Sequence, residues 1–188
     1  MRRRSSVLGL ALVLVTGCAR SDRPAPTPAQ RAAHKAAIAA AAQDRMVLQY
    51  LVKDAEAVNA RLGGLRRASA GYLSGDTSVI WFGFFAADTL LVLDETRRGP
   101  PGVEENARYI FRDTLLHYVA LDRSERTPSG TPRRLRLAFG YDSGGVLTAT
   151  SKNVNDAAEP LDTAHDVTRI ASRAVALRTR VLASAMKR

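Results

Sequence analysis

A single cysteine in 188 residues leaves this chain without the means to form an internal disulfide. Histidine is scarce too. His34, His117 and His165 stand far apart, and with no second cysteine nothing has the ligand spacing of a structural zinc site. No metal or other cofactor is therefore expected, and the glycine-rich loops that cradle nucleotide phosphates are missing. Lysine is limited to Lys35, Lys53, Lys152 and Lys187 among 28 basic residues, an arginine bias that goes with abundant alanine. The chain also lacks a long apolar run. Its one membrane-directed stretch, Val7 to Val15, is nine residues long, far short of the ~20 a helix needs to cross a bilayer.

What remains is a chain with 46% hydrophobic and 24% charged residues and a formal net charge of +10, enough to bury the core of one domain. A basic balance admits nucleic acid, anionic lipid or polyanionic polymers as partners, and the compartment must choose among them.

The compartment is written at the start. Arg2, Arg3 and Arg4 form a positive n-region before Val7 to Val15, the pattern of a signal peptide. The stretch ends in Val15-Thr16-Gly17-Cys18, which resembles the lipobox of bacterial lipoproteins. By that resemblance residues 1–17 are removed, and Cys18 becomes the acylated amino terminus. Membrane attachment through this lipid anchor is then the expected first partner. A lone thiol would be a reactive leftover in an oxidising envelope, whereas a lipid attachment site has no need of a second cysteine. Two or three acyl chains also hold far more firmly than one. Ala19 follows the cysteine in place of the aspartate that marks inner-membrane retention in that family, so the resemblance implies an outer-membrane protein facing the periplasm. That address excludes nucleic acid as a partner.

Residues 18–30 carry Pro24, Pro26 and Pro28 among small and polar side chains and read as an extended tether. A single α+β domain is expected over residues 31–188. Its first element is a helix in the segment from Ala29 to Leu65, weakened or ended near its far end by Gly63-Gly64, with an apolar stripe at Leu48, Leu51, Ala55, Val58, Leu62 and Leu65 that thins to Ala41 and Ala37 toward the tether. Such a stripe suits a helix docked on its own sheet; a coiled-coil dimer is the alternative.

From Ser78 to Asn155 the pattern changes to short runs punctuated by turn residues. Six strands are expected, over Val79 to Phe85, Thr89 to Thr96, Ala107 to Arg112, Thr114 to Asp122, Arg134 to Tyr141 and Val146 to Asn153, joined as an antiparallel meander. A weak repeat runs through them. Phe84-Phe85 precede Asp88-Thr89-Leu90-Leu91, Tyr109 and Phe111 precede Asp113-Thr114-Leu115-Leu116, and a looser third copy surrounds Asp142-Ser143-Gly144-Gly145. A second helix, Thr163 to Met186, closes the domain with the stripe Val167, Ile170, Ala174, Leu177 and Val181, and Arg178 falls inside its apolar arc.

The candidate functional residues are few. The first two strands are apolar on both faces, so Trp81, Phe82 and Phe84 are candidate contacts for a small apolar ligand held between helix and sheet. Arg169, Arg173, Arg180 and Lys187 cluster on the last helix opposite its apolar stripe, where they could meet an anionic membrane or wall polymer. Asp142-Ser143-Gly144-Gly145 resembles the nucleophile loop of chymotrypsin-like proteases, but Tyr141 replaces the leading glycine, and such a stretch between two strands is ordinary turn chemistry. The adjacent carboxylates Asp94-Glu95 and Glu104-Glu105 point to opposite faces of a strand and make no acid/base pair by themselves. The expected function is a non-enzymatic, membrane-tethered binding or interaction module whose partner is an envelope protein or anionic polymer. A carrier or sensor of a small apolar ligand is the alternative.

Overall fold

The computed structural model describes residues 27–159, 161 and 163–185. The signal segment, Cys18, most of the tether, Pro160 and Lys187 lie outside the described residues.

The first helix, α1 (Pro28–Asn59), begins at a capping box: the Thr27 hydroxyl accepts from the Gln30 amide while the Gln30 side chain accepts from the Thr27 amide. It ends at Asn59, just ahead of the Gly63-Gly64 pair expected to weaken or end it. A 3-10 turn, Leu62–Gly64, takes up Gly63 and Gly64 and swings the chain into the sheet. Eight strands follow where six were expected: β1 (Arg66–Ser74), β2 (Thr77–Ala86), β3 (Thr89–Arg98), β4 (Glu104–Arg112), β5 (Leu115–Arg126), β6 (Pro132–Tyr141), β7 (Leu147–Val154) and β8 (Ala157–Ala158). They form one antiparallel meander in chain order. The two additions are the outer strands. A π-helical turn, Thr163–Val167, leads into the second helix, α2 (Thr168–Ala185).

The sequence repeat becomes three hairpins, β2-β3, β4-β5 and β6-β7, whose turns share one end of the sheet. Each carries a register shift just before its turn, at Phe84/Phe85, Ile110/Phe111 and Gly140/Tyr141. The turns use left-handed backbone at Ala87, Asp113, Thr114 and Gly145. In the third copy the Asp142 carboxylate accepts from the Gly144 and Val146 amides and so caps the turn.

The two helices cover opposite faces. Val167, Ile170, Ala174, Leu177 and Val181 are all buried, packing on Trp81, Phe85, Tyr109, Phe111, Phe139 and neighbouring sheet residues. On the other face Leu48, Leu51 and Ala55 of α1 pack on Val92, Ile110, Tyr118 and Ala149. Two glycines admit this closeness. A Cβ on Gly140 would stand 2.2 Å from a methyl of Leu51, and one on Gly83 would stand 2.9 Å from a methyl of Val181.

Only half of α1 takes part. Asp44 is its first residue to meet the sheet, 3.4 Å from the Thr150 amide, and every residue from Pro28 to Gln43 is exposed. Among the described residues the helix therefore runs past β7 as an undocked arm about 24 Å long.

Candidate functional site

The register across the α1 face sorts its residues into rows. Phe84, Val92, Ile110, Tyr118, Gly140 and Ala149 stand side by side from β2 to β7 and form the apolar floor under α1. The next row, Phe82, Asp94, Arg108, Ala120, Ala138 and Ser151, is mixed; the one beyond, Ile80, Thr96, Asn106, Asp122, Arg136 and Asn153, is mostly polar. Among the described residues no helix covers these two rows. They form an open groove of about 730 Å³. Around Ala138, Ser151 and Asn153 it meets a second hollow of about 960 Å³, walled by the flank of α1 at Arg45, Gln49, Val52 and Glu56.

The charged groups in the groove are paired. Arg108 grips Asp94 with two donors, Nε to Oδ1 at 2.6 Å and Nη2 to Oδ2 at 2.7 Å, and donates from Nη1 to Asn59 at 2.8 Å, fastening the last residue of α1 to the sheet. The bond to Asp94 outweighs burial and holds Arg108 above the ordinary guanidinium range. Asp122 receives Arg134 on both oxygens and lies 3.7 Å from Arg136, which in turn donates to Asp156 at 2.7 Å. The hydrogen bond from Arg134 holds the Asp122 carboxyl below its usual range. Thr96 donates to Asn106 at 2.8 Å. The result is a fixed, nearly neutral pattern of donors and acceptors around a low floor at Ala120 and Ala138.

The apolar contacts expected from the sequence do not converge. Trp81 is 1% exposed on the α2 face. Phe82 and Phe84 lie half-buried on the opposite face, Phe82 at the groove with the Arg67 guanidinium 4.3 Å above its ring and Phe84 against the α1 cluster.

The basic stripe on α2 needs correction. Arg173 lies about 70° from the centre of the buried stripe, at 100° per residue, and not opposite it. Its long stem carries the guanidinium inward, Nε 2.7 Å from Glu95 and Nη1 on Glu105, while Tyr109 also donates to Glu95 at 2.9 Å. Burial alone would lower the pKa of Arg173, but Tyr109, Glu95 and Glu105 outweigh it and hold the group above its ordinary range. Of the other members, Arg180 stacks 4.0 Å from the Tyr72 ring centroid and Arg169 lies 4.0 Å from Asp166. Arg178, on the opposite shoulder of the stripe, turns toward Phe111 and not toward a carboxylate.

His117 is buried, with Nε2 3.1 Å from Asp54, which also receives Arg112. Ser143 and His117 share a crevice of only about 20 Å³. The amides of Gly144, Gly145 and Val146 all bond back to Asp142, so they cannot serve an oxyanion. Among the described residues no group of three or more His, Cys, Asp or Glu side chains is placed to hold a metal, and no helix is long and apolar enough to cross a membrane.

Sequence reasoning missed the groove as a site. Alternating polar residues in β4 and β6 were the available signal; only the register shows that they meet Asp94 and Asp122. Compared with protein-family models, curated proteins and solved structures, the chain matches none.

Proposed function

We propose that this chain is a lipid-anchored protein of the bacterial envelope whose folded body is a non-enzymatic interaction module, binding through the groove beside α1. The groove carries this reading: it is a broad part of the α1 face that no helix among the described residues covers. Its carboxylates are neutralised by arginines and already bonded, an arrangement suited to recognition by fixed hydrogen-bonding groups and poorly suited to moving protons. Balanced charge favours a protein surface over an anionic polymer as the partner. The envelope address rests on Val15-Thr16-Gly17-Cys18, with Cys18 as the acylated residue and the outer membrane, facing the periplasm, as the destination. An apolar ligand between helix and sheet draws less support, because Leu51 and Val181 occupy that space against Gly140 and Gly83.

Two measurements test the reading. A photoreactive amino acid at Ala138, in the groove, is expected to form a discrete adduct in living cells, while the same group at exposed Val175 on α2 forms none. No adduct from the groove, or equal adducts from both sites, removes it as the binding surface. Mass spectrometry of the membrane fraction is expected to find acylated Cys18 as the first residue; an unmodified soluble protein overturns the envelope assignment.

A further inference from the structure

Among the described residues, half of α1 has no sheet beneath it, and beside the other half lies an open groove. The two are matched. The 32-residue helix divides at Asp44 into equal halves, each about 24 Å long. The groove crosses the sheet from β2 to β7, five strand spacings of ~4.8 Å, which is again about 24 Å.

The chemistry of the arm fits this groove. The buried stripe Leu48, Leu51 and Ala55 continues into the arm as Ala41, Ala37 and Ala33, small side chains facing the side on which the docked half meets its sheet. The floor of the groove at Ala120, Ala138 and Ser151 is equally low, so an alanine face can approach it closely. The groove's charges are paired, so a neutral helix face leaves no unpartnered ion beneath it. On the flank of α1 that walls the groove, Val52 is 38% exposed, and the same flank of the arm carries Ile38, 58% exposed.

We infer that the groove's partner is a second copy of this chain: the arm of each protomer lies in the other's groove, antiparallel to the docked half of the partner's α1. The inference rests on reading the groove as an interaction surface. A two-fold axis near Arg45 brings the β7–β8 edges of the two sheets together and closes an isologous dimer in which each copy both gives and receives an arm. It sets Ile38 against the partner's Val52, Ala41 against the partner's Gln49, and His34 with Arg31 near the partner's Glu56, which pairs apolar with apolar and base with acid. The capping box at Thr27 and Gln30 then defines the end of a docked element.

The test uses the full chain in cells of an exporting bacterium. One copy carries Ile38→Cys, and a differently tagged copy carries Val52→Cys. Within a single helix these positions lie about 21 Å apart, too far for a disulfide, so any bond between them joins two chains. The expected product is a mixed dimer linking 38 to 52, in excess over 38–38 and 52–52 dimers. The unsubstituted chain reports any disulfide through Cys18. Light scattering of the purified protein in detergent is expected to give a dimer, and Ile38→Glu to weaken it about tenfold or more with unchanged far-UV circular dichroism. A monomeric mass, no interchain disulfide, or only 38–38 and 52–52 bonds, as in a parallel coiled coil, overturns the inference. An Ala138 adduct to a different protein, without the 38–52 bond, removes the second copy but leaves the interaction surface standing.

Discussion

Removing the Arg173 guanidinium strands two carboxylates, Glu95 and Glu105, that the sheet holds almost out of water; Glu95 is 2% exposed. Breaking a buried ion cluster by deleting one partner costs about 3–5 kcal/mol. The lower end is expected here, because Arg97 remains 3.3 Å from Glu95 and Arg123 4.0 Å from Glu105. Arg173→Met should therefore lower the urea unfolding free energy by about 3 kcal/mol, and adding Glu95→Gln and Glu105→Gln should recover most of it. A loss below 1 kcal/mol from the single change would mean the cluster is solvated. The glycine at 140 poses the opposite problem, a position where nothing can be added. Gly140→Ala drives a methyl into Leu51 and should cost about 1–3 kcal/mol. Leu51→Ala alone should cost about 2–5 kcal/mol, and the double variant less than the two together, since each change relieves the other. Strict additivity in urea titrations would show that the two sites do not touch.

At the scale of elements, the same substitution should read differently in the two halves of α1. Ala55→Gly loses helix propensity of about 1 kcal/mol and a buried methyl worth about as much again, so the urea midpoint of the dilute chain should fall. Ala37→Gly weakens only the arm, and the midpoint should stay put; an equal fall for both would show the arm to be docked within its own chain. The docked stripe was legible because leucine at helical spacing has one use, to face a sheet. Where it thins to alanine, the pattern specifies a helix but not what lies beneath it. Strands β2 to β7 were legible from apolar runs and turn residues. β1 was not: Arg66-Arg67-Ala68-Ser69-Ala70-Gly71-Tyr72-Leu73-Ser74 has no β-branched residue, and its place comes from pairing with β2 and from Arg66 and Arg67 lying over Phe85 and Phe82. β8 is only two residues long. Arg173 was misread because a helical wheel locates a Cα, while a long cation on the shoulder of a stripe goes where the carboxylates are. The groove was hidden more deeply, since it depends on which polar residues of four separate strands share a row.

Across the whole molecule, the two cores are tied to the same alkaline limit. Tyr109 and Tyr141 lie under α2 and Tyr118 lies under α1. Burial raises all three above the ordinary phenol value, and for Tyr109 the carboxylates of Glu95 and Glu105 add to the effect while Arg173 opposes it. Unfolded, each tyrosine ionises near pH ~10. Below that pH both states keep their protons, and the stabilisation is complete. Above it the unfolded chain loses protons that the folded chain retains, so stability falls as pH rises. Because the three are divided between both faces of one sheet, ionising any of them weakens the whole. The expected result is a single cooperative transition above pH ~10 in which tyrosinate absorbance and loss of circular dichroism coincide. Tyr118→Phe, which keeps the ring and removes one ionisable group, should flatten the fall of stability with pH. Ionisation of these tyrosines one by one, with the circular dichroism intact, would show that both faces of the sheet admit hydroxide without unfolding.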